Sequence, residues 1–276
     1  MGELYAFSVR IGDALPQVFQ RSYPIVLPST DMLMAASLLR FHQIDALPIE
    51  FRPTAKKRLA VFGYSCLSKL LKTKATNYES FMRLPARRAA LKLSSIGVNR
   101  NIPDLLRIFR KTRFGFAWVE SDKLGGFASL RDLLELYPAG VIETDLKVAD
   151  LASPIFGVSP ETSLREVLEE MFNRRIRRIF LKGRDTVITD RGIISYIFSP
   201  SMLENVSKKP ELLLDVGIGD LDMTKPARVR GSLSAKKAAQ LIGKQPDECL
   251  VCDKGVITPW DLIMKPLAAD RLIIRN

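Results

Sequence analysis

The sequence predicts an α+β protein built from four copies of one small module, each running strand, helix, strand, strand, helix. Two observations carry that prediction. A short apolar strand passes directly into a helix through a Ser or Thr at four places: LAVFGYSCLSKLL (59–71), GGFASLRDLLEL (125–136), TVITDRGIISYI (186–197) and GVITPWDLIM (255–264). The hydroxyls at Ser65, Ser129, Thr189 and Thr258 recur about every 60–70 residues, a longer period than most solenoid repeats have. The second observation is that the stretches ahead of these junctions repeat one order of elements, so the second half of the chain reads like the first.

Composition agrees with a folded protein. At 276 residues and 47% hydrophobic content, the chain can bury one large core or two ordinary ones. No apolar run approaches the roughly 18 residues of a membrane span. The opening MGELYAFSVRIGDALP has an early acid and no basic start, unlike a signal peptide. Three cysteines do not make a disulfide framework, so a cytoplasmic location is expected. The net charge of +12 suits an anionic partner: a nucleotide, a nucleic acid or an acidic protein surface. It is equally compatible with solvated helix faces.

In chain order, Ile25–Leu27 reads as a strand and 28–31 (PSTD) as turn and cap. Leu33–Phe41 has helical spacing, IDALPIEF returns as a strand, and a basic turn at Lys56–Arg58 leads to the first junction, with Ser65 at the cap and Ser68 in the carboxylate place. Tyr78–Ala90 is basic and helical in period. Leu93–Val98, Ile102–Phe109 and Phe114–Val119 then read as strand, helix and strand. The pattern relaxes around Pro138–Thr144, which places the main boundary there. The second half gives a strand near Ile155–Val158, a helix over Ser163–Phe172, a strand at Arg178–Lys182, a linker over Ser199–Glu211 and a fourth copy.

The junctions carry the chemistry. Thr258, Pro259 and Asp261 spell a helix start: a capping hydroxyl, a proline where no N–H is needed, and a carboxylate three residues after the cap. Ser129 and Asp132 repeat it, whereas Thr189 keeps the hydroxyl but has Gly192 in the carboxylate place. Such a mouth is either a capped helix alone or a nucleotide seat. In the second case the hydroxyl and free amides face phosphate, and the carboxylate accepts from ribose hydroxyls. In NRRIRRIF, Arg177 and Arg178 point to opposite faces of a strand, and either suits a phosphate. His42 is the sole histidine, which excludes His-based triads, and Cys249 and Cys252 lack a second pair for zinc. No catalytic set emerges, so the chain is not expected to be an enzyme.

DLDMTKPARVRGSLSAKKAAQLI followed by GVITPWDLI resembles a cystathionine-β-synthase (CBS) repeat, and the other three copies match it more loosely. The resemblance covers nearly the whole chain. It implies four CBS repeats (about 18–74, 88–137, 147–199 and 212–268) paired into two Bateman modules, 1–140 and 141–276. This layout is similar to the four-repeat γ regulatory subunits of AMP-activated kinase and their stand-alone prokaryotic relatives. Two pairs stack into a disc within one chain, or one pair dimerises with another chain; the sequence leaves both open. The resemblance further implies adenine nucleotides (AMP, ADP or ATP) as ligands, with S-adenosylmethionine less favoured and no required cofactor. Carried over residue by residue, Ser129, Thr189 and Thr258 contact phosphate, and Asp132 and Asp261 hold ribose. Arg177 or Arg178 reaches phosphates, and adenine lies near Ile96 and Ala227. A regulatory sensor that signals to a protein partner is the reading this favours. A nucleic-acid binder using the basic surface, or a scaffold with relic sites, are the alternatives.

Overall fold

The computed structural model describes residues 9–21, 23–42, 44–49, 59–72, 78–121, 125–208 and 214–275. An entry segment holds α1 (Ile11–Ala14) and a 3-10 turn at Pro16–Phe19. The first repeat follows with a single parallel bridge from Val26 to Ile49, then α2 (Met32–His42), β1 (Ala46–Pro48), β2 (Leu59–Phe62) and α3 (Gly63–Lys72). After α4 (Tyr78–Met82), a 3-10 turn at Ala86–Arg88 and β3 (Ala90–Lys92) comes the second repeat. It comprises β4 (Ser95–Gly97), α5 (Ile102–Thr112), β5 (Phe116–Glu120), β6 (Gly125–Ser129) and α6 (Leu130–Leu134). Next are β7 (Ile142–Glu143) and α7 (Val148–Leu151). The third repeat is β8 (Gly157–Val158), α8 (Leu164–Arg174), β9 (Arg178–Leu181), β10 (Val187–Thr189) and α9 (Asp190–Ile197). After α10 (Pro200–Lys208) and a 3-10 turn at Ile218–Asp220, the fourth is β11 (Ala227–Arg228), α11 (Ala235–Ile242), β12 (Leu250–Cys252), β13 (Gly255–Ile257) and α12 (Pro259–Ala268). β14 (Ile273–Ile274) closes the described chain.

The repeats share one topology. In the last three, the first strand runs parallel to the second across a helical crossover, and the third returns antiparallel beside the second. Parallel neighbours need a long connection, supplied by α5, α8 and α11, whereas the antiparallel return needs only a short turn. The second and third strands of each repeat are buried almost throughout, so they read as continuous apolar runs rather than alternating ones. Helix starts follow their caps: Ser163 with Glu166 opens α8, and the Ser234 hydroxyl accepts from Lys237 N ahead of α11. One expectation changes. The stretch from Ser199 is not a linker throughout, because Pro200–Lys208 is helical. The basic turn at Lys56–Arg58 lies outside the described residues.

Contacts divide the chain into two compact units. One comprises Met1–Ser22, Ser94–Ile155 and Pro226–Asn276, and the other Tyr23–Leu93 and Phe156–Lys225. The units therefore do not break at residue 140. Pro138–Thr144 lies inside the first unit, where Ile142–Glu143 pairs with β14. The first unit holds the bodies of the second and fourth repeats, and the other those of the first and third. Each thus takes one repeat from each half of the chain. The segment leading into each repeat belongs to the unit that does not hold that repeat's body. In the first unit, Gly12 N donates to Val98 O, and Ser153 exchanges two ladder bonds with Val256. In the other, β3 pairs with β2, and Thr224 exchanges bonds with Val187.

Each unit has its own apolar core. In the first, Leu105, Leu106 and Phe109 of α5 share one core with Ala235, Ala238 and Ile242 of α11, and with Leu262 and Ile263 of α12. One polar contact inside it answers a backbone defect. Pro266 sits within α12 and has no N–H, so the carbonyl of Leu262, four residues earlier, lacks its helical donor. The buried Tyr137 hydroxyl donates to that carbonyl at 2.6 Å. Tyr137→Phe is expected to lower the unfolding free energy by about 1–3 kcal/mol, the cost of leaving a buried carbonyl unpaired. Urea denaturation measures it.

Candidate functional site

The strand–helix junctions superimpose in register. In the first three repeats, the last residue of the third strand faces the first residue of the second: Phe62 faces Ala46, Ser129 faces Phe116 and Thr189 faces Arg178. In the fourth, Ile257 faces Leu250, which places Thr258 in the junction position. This corrects the first repeat. Phe62, not Ser65, takes the cap position. Ser65 takes the carboxylate position, where its hydroxyl accepts from Phe62 N at 3.0 Å. Ser68 lies a turn further along α3. The first repeat thus has neither the hydroxyl nor the carboxylate of the motif.

The second and fourth repeats carry the full motif. Asp132 Oδ2 accepts from Ser129 N and from Ser129 Oγ, both at 2.7 Å. Asp261 Oδ2 accepts from Thr258 N at 2.9 Å and Thr258 Oγ1 at 2.7 Å. Both are reciprocal capping boxes, as the spacing predicts. Both carboxylates are buried, 0% and 4% exposed. Their second oxygens differ: Asp261 Oδ1 accepts a hydrogen bond, whereas Asp132 Oδ1 accepts none from the described residues and is met by charge alone. Asp132 Oδ1 meets the Arg21 guanidinium at 2.5 Å. Asp261 Oδ1 accepts from Ser153 Oγ at 2.6 Å and faces Lys265 Nζ at 3.1 Å. Lys265 also donates to Leu151 O, Ala152 O and Ser153 Oγ at 2.7–2.9 Å. Arg21 and Ser153 belong to segments leading into other repeats, whereas Lys265 lies on α12 itself.

Glycines make room for those segments. Gly126 and Gly255 both lie three residues before the junction residue. A Cβ at Gly126 would drive into Val18 O, and one at Gly255 into Ser153 O. Gly255 also has φ +138°, a conformation other residues rarely adopt.

In the third repeat, Thr189 Oγ1 accepts from Gly192 N at 3.1 Å. Its strand partner Arg178 is half-buried across from it. Arg177 is already engaged: its Nε donates to Asp190 at 2.8 Å and an NH2 to Asp45 at 2.7 Å, with Arg191 3.6 Å from Asp45. Partial burial would push the Asp45 carboxyl up, but Arg177 and Arg191 outweigh it and hold it well below the usual carboxylate range. Burial opposes the charge on Arg177 too, yet Asp190 and Asp45 raise its pKa further. Sequence reasoning missed Asp45 and Asp190 as partners of Arg177. Asp190, directly after the Thr189 cap, was the available signal for one of them.

The first unit has a related pair. Arg131 and Arg191 both lie two residues after a junction, and Arg131 meets Glu248 at 3.4 Å. In register with Arg177 stand Asp45, Gly115 and Glu248. Arg113 also stacks over Trp260, with its guanidinium carbon 5.4 Å from the ring centre. Ile96 is a buried residue of β4, and Ala227 is a half-buried residue of β11. Neither is brought against the carboxylates by a described contact. Among the described residues, no cluster of three or more His, Cys, Asp or Glu could hold a metal ion, and no helix is long and apolar enough to cross a membrane.

No protein-family profile and no curated protein matches the chain. Solved structures do. Protein MJ1225 from Methanocaldococcus jannaschii, described as a proposed archaeal homologue of γ-AMPK, matches with a TM-score of 0.79 at 16% identity. The match covers 93% of this chain and 99% of that one. The CBS-domain protein ATU1752 from Agrobacterium tumefaciens is 18% identical over 49% of this chain and 98% of its own (TM-score 0.40). CBSX2 from Arabidopsis thaliana, a CBS-pair protein, is 22% identical over 46% of this chain and 99% of its own (TM-score 0.35). The full-length likeness to MJ1225 and the four repeats of one topology agree on the fold, an α+β chain of four repeats consistent with the expected CBS layout of two Bateman modules.

Proposed function

We propose that the chain is a regulatory protein, not an enzyme, that binds AMP, ADP or ATP and passes the bound state to a partner protein. One observation carries the reading: Ser129 with Asp132 and Thr258 with Asp261 form the same hydroxyl–carboxylate constellation at equivalent positions of two repeats. A ribose diol replaces donors on the outer carboxylate oxygen, and phosphate competes for the hydroxyl. At Asp132 the donor to be displaced is Arg21, which is 42% exposed on a segment leading into another repeat. Ligand binding is thereby linked to the position of that segment, because a ligand shifts an equilibrium only through unequal affinity for its states.

A scaffold reading has one observation in its favour: the chain's own residues already meet both carboxylates, Ser153 and Lys265 at Asp261 and the Arg21 charge at Asp132. Calorimetric titration of AMP, ADP and ATP into nucleotide-stripped protein separates the two. Saturable binding is expected for the sensor. Heats of dilution alone, up to millimolar nucleotide, would leave the scaffold.

A further inference from the structure

Helix α2 is apolar on both sides. Its inner face, Met32, Ala35, Ala36 and Leu39, is buried in the core of its unit. Opposite lie Met34, Ser37, Leu38 and Phe41, spaced i, i+3, i+4, i+7; Met34 and Phe41 are exposed, Ser37 is half-buried, and Leu38 is half-buried and packs against the core. Met34 is 54% and Phe41 82% exposed. A surface helix ordinarily turns polar residues outward, and one apolar all round is ordinarily covered. The chain entering this helix adds Ile25 and Leu27, at 58% and 57% exposure. Four of the seven large apolar side chains exposed among the described residues therefore fall within residues 25–41. That concentration marks an interaction surface rather than scattered exposure.

Charge indicates what covers it. Arg40 stands exposed next to Phe41, with one guanidinium nitrogen donating to Phe198 O at 3.3 Å and the rest of the group open to a carboxylate. At the other end, Asp31 bridges to Pro85 and Ala86 N donates to Thr30 O, which brings the exposed Arg87 and Arg88 to the start of the helix. A second copy of this chain carries the same arginines and a net charge of +12, so self-pairing here sets like charges together. An acidic partner gains both apolar burial and complementary charge.

We propose that the outward face of α2 is the docking surface for an acidic amphipathic helix of a partner protein. The partner's apolar ridge contacts the exposed Met34 and Phe41 and crosses the half-buried Ser37 and Leu38 between them. Its carboxylates face Arg40, Arg87 and Arg88. Two turns of helix span the stripe.

The probe is a synthetic amphipathic helical peptide with leucines on one face and glutamates elsewhere, labelled for fluorescence anisotropy. Its control keeps the leucines and replaces every glutamate by lysine. The intact chain is expected to bind the acidic peptide at least about tenfold more tightly than the basic one, a difference of about 1.4 kcal/mol. Met34→Ser/Phe41→Ser is expected to lose that binding while keeping the wild-type circular dichroism and melting curve, since both side chains are exposed. Equal binding of the two peptides, binding of neither, or full retention by the double variant overturns the proposal. So does a dimer in sedimentation velocity, or attachment to phosphatidylserine vesicles, that the double variant abolishes. Those results assign the face to a second copy or to a lipid surface.

Discussion

Replacing Arg177 by Ala is expected to lower the unfolding free energy by about 2–4 kcal/mol, which makes it one of the two most damaging single changes. The size follows from what remains. The Asp190 side chain is 3% exposed and loses its partner at 2.8 Å, and Asp45 loses its bond at 2.7 Å. Arg191, 3.6 Å from Asp45, compensates part of the second loss. Arg177 is itself 36% exposed, which keeps the figure below that of a fully buried pair. Two further measurements isolate the cause. Arg177→Ala combined with Asp190→Asn should recover part of the loss, because the buried charge goes with its partner. The pH dependence should also change. The depressed folded-state pKa of Asp45 gives stability that is complete above its unfolded value, near 3.9, and that falls as pH drops toward the folded value. The wild type should lose stability through this acid range, and the Arg177 variant should lose less.

Gly255→Ala is the other large effect, expected to cost about 3 kcal/mol or more. Two causes add. At φ +138° an L side chain is strained, and the new Cβ has no space beside Ser153 O. Relief requires Ser153 to move, yet Ser153 exchanges two ladder bonds with Val256 and donates to Asp261. The variant should therefore also free the Leu151–Ser153 segment, seen as faster amide exchange there. Gly126→Ala clashes with Val18 O but has no positive φ, so the same change there should cost less. Equal losses at the two glycines would show that the clash, not the backbone angle, dominates.

The contrast between these glycines and the caps shows what the sequence reveals. A capping box is local: Ser129 with Asp132 and Thr258 with Asp261 are three residues apart, and spacing alone identifies them. The same rule misled in the first repeat, because Ser65 and Ser68 have that spacing while the junction residue, Phe62, has no hydroxyl to mark it. Long-range pairings left no local trace. Arg177 meets Asp45 across 132 residues, and Arg21 meets Asp132 across more than a hundred. Gly126 and Gly255 looked like ordinary strand glycines, because the backbone that approaches them comes from segments leading into other repeats. The order of elements within the repeats was legible, but the helix at Pro200–Lys208 and the division into compact units were not. Each unit joins repeats from different halves of the chain, a choice made by helix packing rather than by any feature near residue 140.

The central claim is that Asp132 and Asp261 hold adenine nucleotides. The measurement that tests it most directly is the number of AMP molecules bound per chain in nucleotide-stripped wild type, Asp132→Asn, Asp261→Asn and the double variant. It is taken by calorimetry below the melting temperature of each. Asn keeps the size of the side chain and removes the charge a ribose diol would meet. The account expects one site lost with each single variant and none left in the double variant. Undiminished binding in the double variant, or no binding in the wild type, would contradict it.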